Sequence, residues 1–290
     1  MILRWPFARA LVVASAVLGI GCGSSTTAPT SPLSTGQSAE PSTEPKTDST
    51  HDMAGMDVNE GMPAEGLTIK LSTRSFIAGQ HEDLAFMIVD SDGAAVKEYK
   101  VEQTKELHLI LVRDDLTGYQ HIHPTRGTDG TWSVPVTFDR GGKFRMVADF
   151  VPVLHGKATG RTEVTTDLKV SGILDTEALP DPTTTVEVDG FSVSLKGELG
   201  SDKATRVNFT VVDNADTPVV LGQYLGSFGH LVAFAQKDLA YTHIHPSSSD
   251  EKAGKIQFRG QVAAPGPHRL FLQFSVAGVV HTAAFTMDIK

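Results

Sequence analysis

His108-Leu109-Ile110-Leu111-Val112-Arg113-Asp114-Asp115-Leu116-Thr117-Gly118-Tyr119-Gln120-His121-Ile122-His123-Pro124 returns in outline 122 residues later, from His230-Leu231-Val232 to Tyr241-Thr242-His243-Ile244-His245-Pro246. Each copy is an apolar run, a polar turn-forming middle and a short segment with histidines at alternate positions. That order is the signature of a β-hairpin. Most intervening positions differ between the copies, yet all three histidines and the His-Ile-His-Pro tail are kept.

Moving outward from the hairpins, other short apolar or alternating runs read as strands. In the first half these are Leu67–Leu71, Leu84–Val89, Thr131–Phe138, Lys143–Val151 and Glu163–Val170, divided by turn signals such as Ser91-Asp92-Gly93 and Gly141-Gly142. A proline-rich hinge at Leu179-Pro180-Asp181-Pro182 precedes a second set: Thr184–Val188, Phe191–Leu195, Arg206–Val212, His230–Ala235, Lys255–Val262, Arg269–Val276 and Val280–Ile289. No long stretch has helical period. The expectation is an all-β protein of two tandem antiparallel β-sandwiches, immunoglobulin-like or cupredoxin-like, over residues 67–178 and 179–290.

Neutral imidazole is the commonest protein metal ligand, so a duplicated histidine trio points to metal. Residues two apart on a strand share a face, so His121 and His123 present their rings to one side, as do His243 and His245. If the first turn centres between Asp115 and Leu116, His108 lies opposite His123 and all three rings converge. A one-residue slip sends His108 to the other face, and the sequence leaves that register open. The expectation is one site per sandwich, at its surface: His108, His121 and His123 in the first, His230, His243 and His245 in the second. His155 and His281 are fourth candidates, with a hydrogen-bonded structural role as the plain alternative. Asp149 is read as an oxygen ligand or a hydrogen-bond acceptor in the first site, with Gln273 at the comparable place in the second. His81 and His268 read as ordinary surface histidines in loops, and Tyr119 and Tyr241 as packing partners.

The chain has 290 residues and a formal charge of −9, with no basic run, which argues against a nucleic-acid partner. Its one cysteine, Cys22, excludes an intrachain disulfide and any thiolate metal site in the folded part. Residues 1–21 carry Arg4 and Arg9 followed by an apolar run from Ala10 to Gly21, read as an export signal peptide. Leu18-Gly19-Ile20-Gly21-Cys22 resembles a bacterial lipobox, apart from Gly19 where leucine is usual. That resemblance implies lipidation of Cys22, a membrane anchor and an extracytoplasmic location, with plain secretion as the alternative. Residues 22–66 read as a Ser/Thr/Pro-rich tether. Within it, His51, Met53, Met56 and Met62 make a soft, flexible secondary metal site. Thioether suits Cu(I), which tilts the expected ion toward copper, with zinc possible.

Tyr224-Leu225-Gly226-Ser227-Phe228-Gly229-His230, with His243-Ile244-His245-Pro246, resembles a Y-L-G-x-x-G-H…H-x-H-P signature of bacterial envelope proteins described as heavy-metal- or copper-associated. The resemblance is best over residues 184–290. In the first repeat Lys105-Glu106-Leu107 replaces the glycine-rich approach to its histidine. It implies metal association without a defined task.

Three functions are compatible with these features. The first is an envelope lipoprotein that binds copper for sequestration or relay, without catalysis and with an unknown protein partner. The second is a copper-dependent redox enzyme of superoxide-dismutase type. The third is a metal-free cell-surface interaction module. Hydrolase motifs are missing: there is no G-x-S-x-G and no H-E-x-x-H.

Overall fold

The computed structural model describes residues 64–290. The expected export signal, Cys22 and the His51, Met53, Met56 and Met62 patch lie outside the described residues. Among the described residues no helix is long and apolar enough to cross a membrane.

The first half forms strands β1 (Thr68–Leu71), β2 (Ser75–Ile77), β3 (His81–Val89), β4 (Tyr99–Lys100), β5 (Leu107–Arg113), β6 (Gln120–Ile122), β7 (Thr125–Arg126), β8 (Thr131–Thr137), β9 (Gly142–Leu154), β10 (Lys157–Ala158) and β11 (Thr162–Ser171). The second forms β12 (Thr185–Val188), β13 (Phe191–Gly197), β14 (Thr205–Asp213), β15 (Leu221–Gly222), β16 (His230–Ala235), β17 (Tyr241–Ile244), β18 (Pro246–Asp250), β19 (Lys255–Gly260), β20 (Gly266–Val276) and β21 (Val279–Ile289). Each half is a two-sheet sandwich. In the first, the sheet β1-β3-β8-β7 faces the sheet β2-β11-β9-β5-β6, with β4 and β10 also paired to β9. In the second, β12-β13-β14-β19-β18 faces β15-β20-β16-β17, with β21 on β20. Pairing is antiparallel except for β2, which runs parallel to β11 with Phe76 opposite Val170.

Alternation along the strands fills two cores. Leu107, Leu109 and Leu111 of β5 join Met146, Ala148 and Phe150 of β9 inside the first sandwich. Leu231 and Ala233 of β16 join Leu270, Leu272 and Phe274 of β20 inside the second. The opposite faces of these strands are apolar too. Ile110, Val112, Leu116 and Val147 pack with Val232, Phe234, Leu239 and Phe271 in a third cluster, between the two sandwiches. Tyr119 stacks on Phe271 there, with ring centroids 4.1 Å apart and planes 7° from parallel. Burying a side chain such as Phe234 contributes about 1.5–3 kcal/mol, so apolar contact alone supports this interface. Strands β5 and β16 are buried along their whole length as a result. That placement corrects the expectation of surface sites, because residues alternating with the sandwich cores face the other domain, not water.

The β5–β6 turn fixes the first hairpin. Arg113 N–H donates to Thr117 O at 2.9 Å and Leu116 N–H to Arg113 O at 2.9 Å. Asp115 pairs with the buried Arg113 guanidinium and accepts from the Thr117 hydroxyl at 2.6 Å. Leu116 takes a left-handed backbone (φ 66°) and inserts its side chain into the interdomain cluster. Leu239 repeats the arrangement in the second hairpin with φ 59°.

Candidate metal centre

The ladder pairs Leu109 with Ile122 and Ile110 with His121, so continuing it sets His108 opposite His123. The second ladder pairs Leu231 with Ile244 and Val232 with His243, which sets His230 opposite His245. Of the two registers left open by the sequence, both hairpins take the one that brings the rings to a common face. That face is the interdomain one.

His108 Nδ1 lies 3.0 Å from His121 Nε2 and 3.2 Å from His123 Nε2. These three residues could hold a metal ion: one ligand nitrogen from each falls within 4.8 Å of the others. An ion bound tetrahedrally at about 2.0–2.1 Å would space its nitrogens about 3.3 Å apart, close to what is observed. The remaining ring nitrogens settle the tautomers. His108 Nε2–H donates to the Glu102 carbonyl at 3.2 Å, and His121 Nδ1–H donates to Gln273 Oε1 at 2.7 Å. Both facing nitrogens are then lone-pair acceptors. Two acceptors at 3.0 Å repel unless a cation lies between them.

In the second trio, His243 Nε2 lies 3.1 Å from His230 Nδ1, and His243 Nδ1 lies 2.8 Å from Asp149 Oδ2 and 2.7 Å from Arg161 Nη1. His230 Nε2 and His245 Nε2 are buried without a hydrogen-bond partner. The two trios are neighbours. Ring centroids of His108 and His230 are 5.7 Å apart, and those of His121 and His230 are 5.4 Å apart. The expected site of each sandwich therefore lies against that of the other, because the sheet faces that carry the trios pack together; of the six histidines, His108, His121 and His123 are gathered closely enough to hold an ion.

Asp149 and Gln273 occupy matching positions, opposite His108 on β9 and opposite His230 on β20. Each reaches across the interface instead of serving its own trio. The assignment of Asp149 to the first site is corrected accordingly: it holds His243 of the second sandwich, while Gln273 holds His121 of the first. Arg161 Nη1 donates to Asp149 at 3.0 and 3.2 Å, and the Tyr241 hydroxyl donates to it at 3.2 Å. Gln273 Nε2 reaches Thr282 Oγ1 at 3.4 Å, which turns its carbonyl oxygen toward His121.

Burial dominates the protonation of the cluster. It pushes His121 down to about 4, with the neighbouring His108 adding to the effect, and His123 down to about 3 beside His121 and His108. Burial likewise takes His243 to about 3 against the pull of Asp149, and His245 to about 4. His108 and His230 are also lowered, chiefly by burial. For Asp149, burial acts upward, but the His243 hydrogen bond and the Arg161 guanidinium outweigh it and hold the carboxyl below its ordinary range. At neutral pH this leaves neutral imidazoles beside one carboxylate, the protonation state that metal binding needs.

The other histidines lie elsewhere. His155 is exposed in the β9–β10 turn with φ 53°. His281 sits on the core face of β21, opposite Phe274, packs on Phe191 and bonds Asp189 at 2.8 Å. Neither joins the cluster: one occupies a hairpin tip, and the sheet separates the other from the interface. His81 is exposed on β3 and meets the Thr137 hydroxyl at 2.8 Å. His268 is no surface loop residue; it is buried on β20 with Nδ1 2.9 Å from the Gly266 carbonyl. Sequence reasoning missed Glu102 and Arg161. Glu102 acts through its carbonyl, which any residue could supply, and Arg161 is brought to Asp149 only by β9–β11 pairing.

Two stretches, residues 62–168 and 185–290, match the family described as Domain of unknown function (DUF8832). The chain belongs to that family, twice over. The two matches coincide with the two sandwiches, so the histidine cluster lies where two copies of the domain meet. No curated protein matches the sequence. Among solved structures, the Escherichia coli adhesin FdeC is 14% identical with a TM-score of 0.25, over 80% of this chain and 66% of that one. The Yersinia pseudotuberculosis adhesin InvE is 10% identical with a TM-score of 0.22, over 77% and 59%. A putative membrane anchored protein from Corynebacterium diphtheriae is 13% identical with a TM-score of 0.24, over 78% and 57%. The chain thus spans two thirds or less of each of these chains.

Proposed function

We propose that this protein is an extracytoplasmic metal-binding protein that holds a transition metal, copper before zinc, in its interdomain histidine cluster for sequestration or relay. The observation that carries the reading is the meeting of His108 Nδ1, His121 Nε2 and His123 Nε2, with the opposite nitrogens of His108 and His121 committed to Glu102 and Gln273. Two lone pairs facing each other at 3.0 Å, with the His123 Nε2 atom 3.2 Å from one of them, favour a cation between the rings. Imidazole donors suit copper, zinc, nickel and iron alike. The preference for copper comes from the methionines at 53, 56 and 62 and from the resemblance to copper-associated envelope proteins. Location outside the cytoplasm and a lipid on Cys22 are part of the same proposal and rest on the lipobox-like residues 18–22. Burial of the ligands between two sheets favours holding an ion over turning over a substrate, and it removes the trios from any surface that would dock another cell-surface protein.

The test is the copper content of purified mature protein. The wild type is expected to retain copper through desalting. The combined substitutions His121→Ala, His123→Ala, His243→Ala and His245→Ala should abolish retention. Unchanged copper content in that variant would remove the cluster from the account.

A further inference from the structure

We propose that the second sandwich controls the metal affinity of the first: Gln273 is a positioning residue that fixes His121 as a ligand, so the ion at His108, His121 and His123 is held tightly only while the two domains are docked. The inference rests on the metal-binding reading above and adds how that site is regulated.

Two observations carry it. The first is the origin of the groups. All three ligands belong to the first sandwich, yet the acceptor that orients His121 belongs to the second. Gln273 is buried, and its Nε2 reaches Thr282 Oγ1, on its ladder partner in β21, at 3.4 Å. That contact turns Oε1 toward the ring of the other domain. The second is continuity of contact along the interface. Residues two apart on extended chain share a face. Tyr119 and His121 are two apart in the first sandwich, and Phe271 and Gln273 are two apart on β20 of the second. Tyr119 stacks on Phe271 with centroids 4.1 Å apart, and His121 Nδ1 lies 2.7 Å from Gln273 Oε1. The two contacts are successive steps of one interface, so the docking that makes the stack also places the amide on the ring.

The consequence follows from the tautomer. A neutral imidazole offers a lone pair at one nitrogen only, and the other carries the proton. Gln273 Oε1 accepts from His121 Nδ1–H, which leaves the Nε2 lone pair facing His108 Nδ1 at 3.0 Å. Without that acceptor the proton can sit on Nε2 and donate to His108 Nδ1. The site then closes as an ordinary hydrogen bond between two histidines, with no lone pair of His121 left for an ion. The dependence runs both ways. An ion that fixes the Nδ1–H tautomer of His121 strengthens its bond to Gln273, so ion binding favours docking by the factor by which docking favours the ion.

The experiment joins two measurements on the mature full chain. Titration with Zn(II) against a chromophoric chelator reads affinity, and the ion in question is the one lost in His121→Ala with His123→Ala. Proton–nitrogen correlation spectra of the metal-free protein read which ring nitrogen of His121 carries the proton. Wild type is expected to carry it on Nδ1. Gln273→Leu keeps the side-chain bulk and removes the acceptor. It should move the proton to Nε2 and weaken the ion about 10- to 100-fold. Gln273→Glu restores an acceptor and should hold the ion at least as tightly as wild type, a recovery that misfolding cannot produce. Phe271→Ala touches no ligand and leaves Gln273 in place, but it loosens the docking and should weaken the same ion several-fold. Unchanged affinity in Gln273→Leu or in Phe271→Ala would overturn control by the second sandwich while metal binding stood. A wild-type His121 proton on Nε2 would overturn it as well. No zinc bound by the wild type would overturn the metal reading itself.

Discussion

His121, His123, His243 and His245 are held neutral by burial, with folded-state pKa values of about 3–4. In an unfolded chain each would titrate near 6.5. The unfolded state therefore binds more protons as pH falls below about 6.5, and stability falls with it. The sign is that of a depressed base: full stability above about pH 6.5, progressive loss down to about pH 3. Each histidine steepens the slope by up to about 1.4 kcal/mol per pH unit. Denaturant unfolding of metal-free protein at pH 7 and pH 5 should show a clear drop, reduced by His121→Ala with His123→Ala. A flat profile would mean that these rings are solvated. At this scale the sequence was informative about identity and parity but silent about partners. His108, His121 and His123 announce themselves by repetition, whereas the Asp149–His243 bond joins residues 94 positions apart on different domains and leaves no local trace.

At the scale of the strand and turn, the ligand set depends on hairpin register, and in the first hairpin register depends on Arg113 and Asp115. Both side chains are almost fully buried, at 2% and 7% exposure. Removing one partner of such a pair leaves an uncompensated charge, worth on the order of 3 kcal/mol. Asp115→Asn is expected to lower unfolding stability by about that amount and to weaken metal binding at the first trio, as measured by urea unfolding and zinc titration. No loss of either would show that β5–β6 pairing sets the register alone. The same scale explains why the interface was not foreseen. Strands such as Trp132–Val136 alternate buried with exposed residues, as one-sided strands do. His108–Val112 and His230–Ala235 do not alternate, and a continuous apolar run marks a strand covered on both faces. That signal was present in the sequence, but it does not say what covers the second face.

Over the whole molecule, the packing of the two copies of the domain sets the histidine trio of each against that of the other. The two sandwiches were legible from strand spacing and the proline-rich hinge at residues 179–182. Their mutual packing depends on Tyr119, Phe234 and Phe271 meeting across the gap, a long-range match that local patterns do not encode. That packing turns two histidine hairpins into one cluster and gives Asp149 and Gln273 their crossed roles. The methionine-bearing segment is the rival copper site, and the two differ in donor chemistry: nitrogen in one, sulfur in the other. X-ray absorption at the copper edge on mature protein loaded with one equivalent of copper reads that difference directly. The account predicts a first shell of imidazole nitrogens without sulfur, lost when His121, His123, His243 and His245 are replaced by alanine. A sulfur-containing shell that survives those replacements would contradict it.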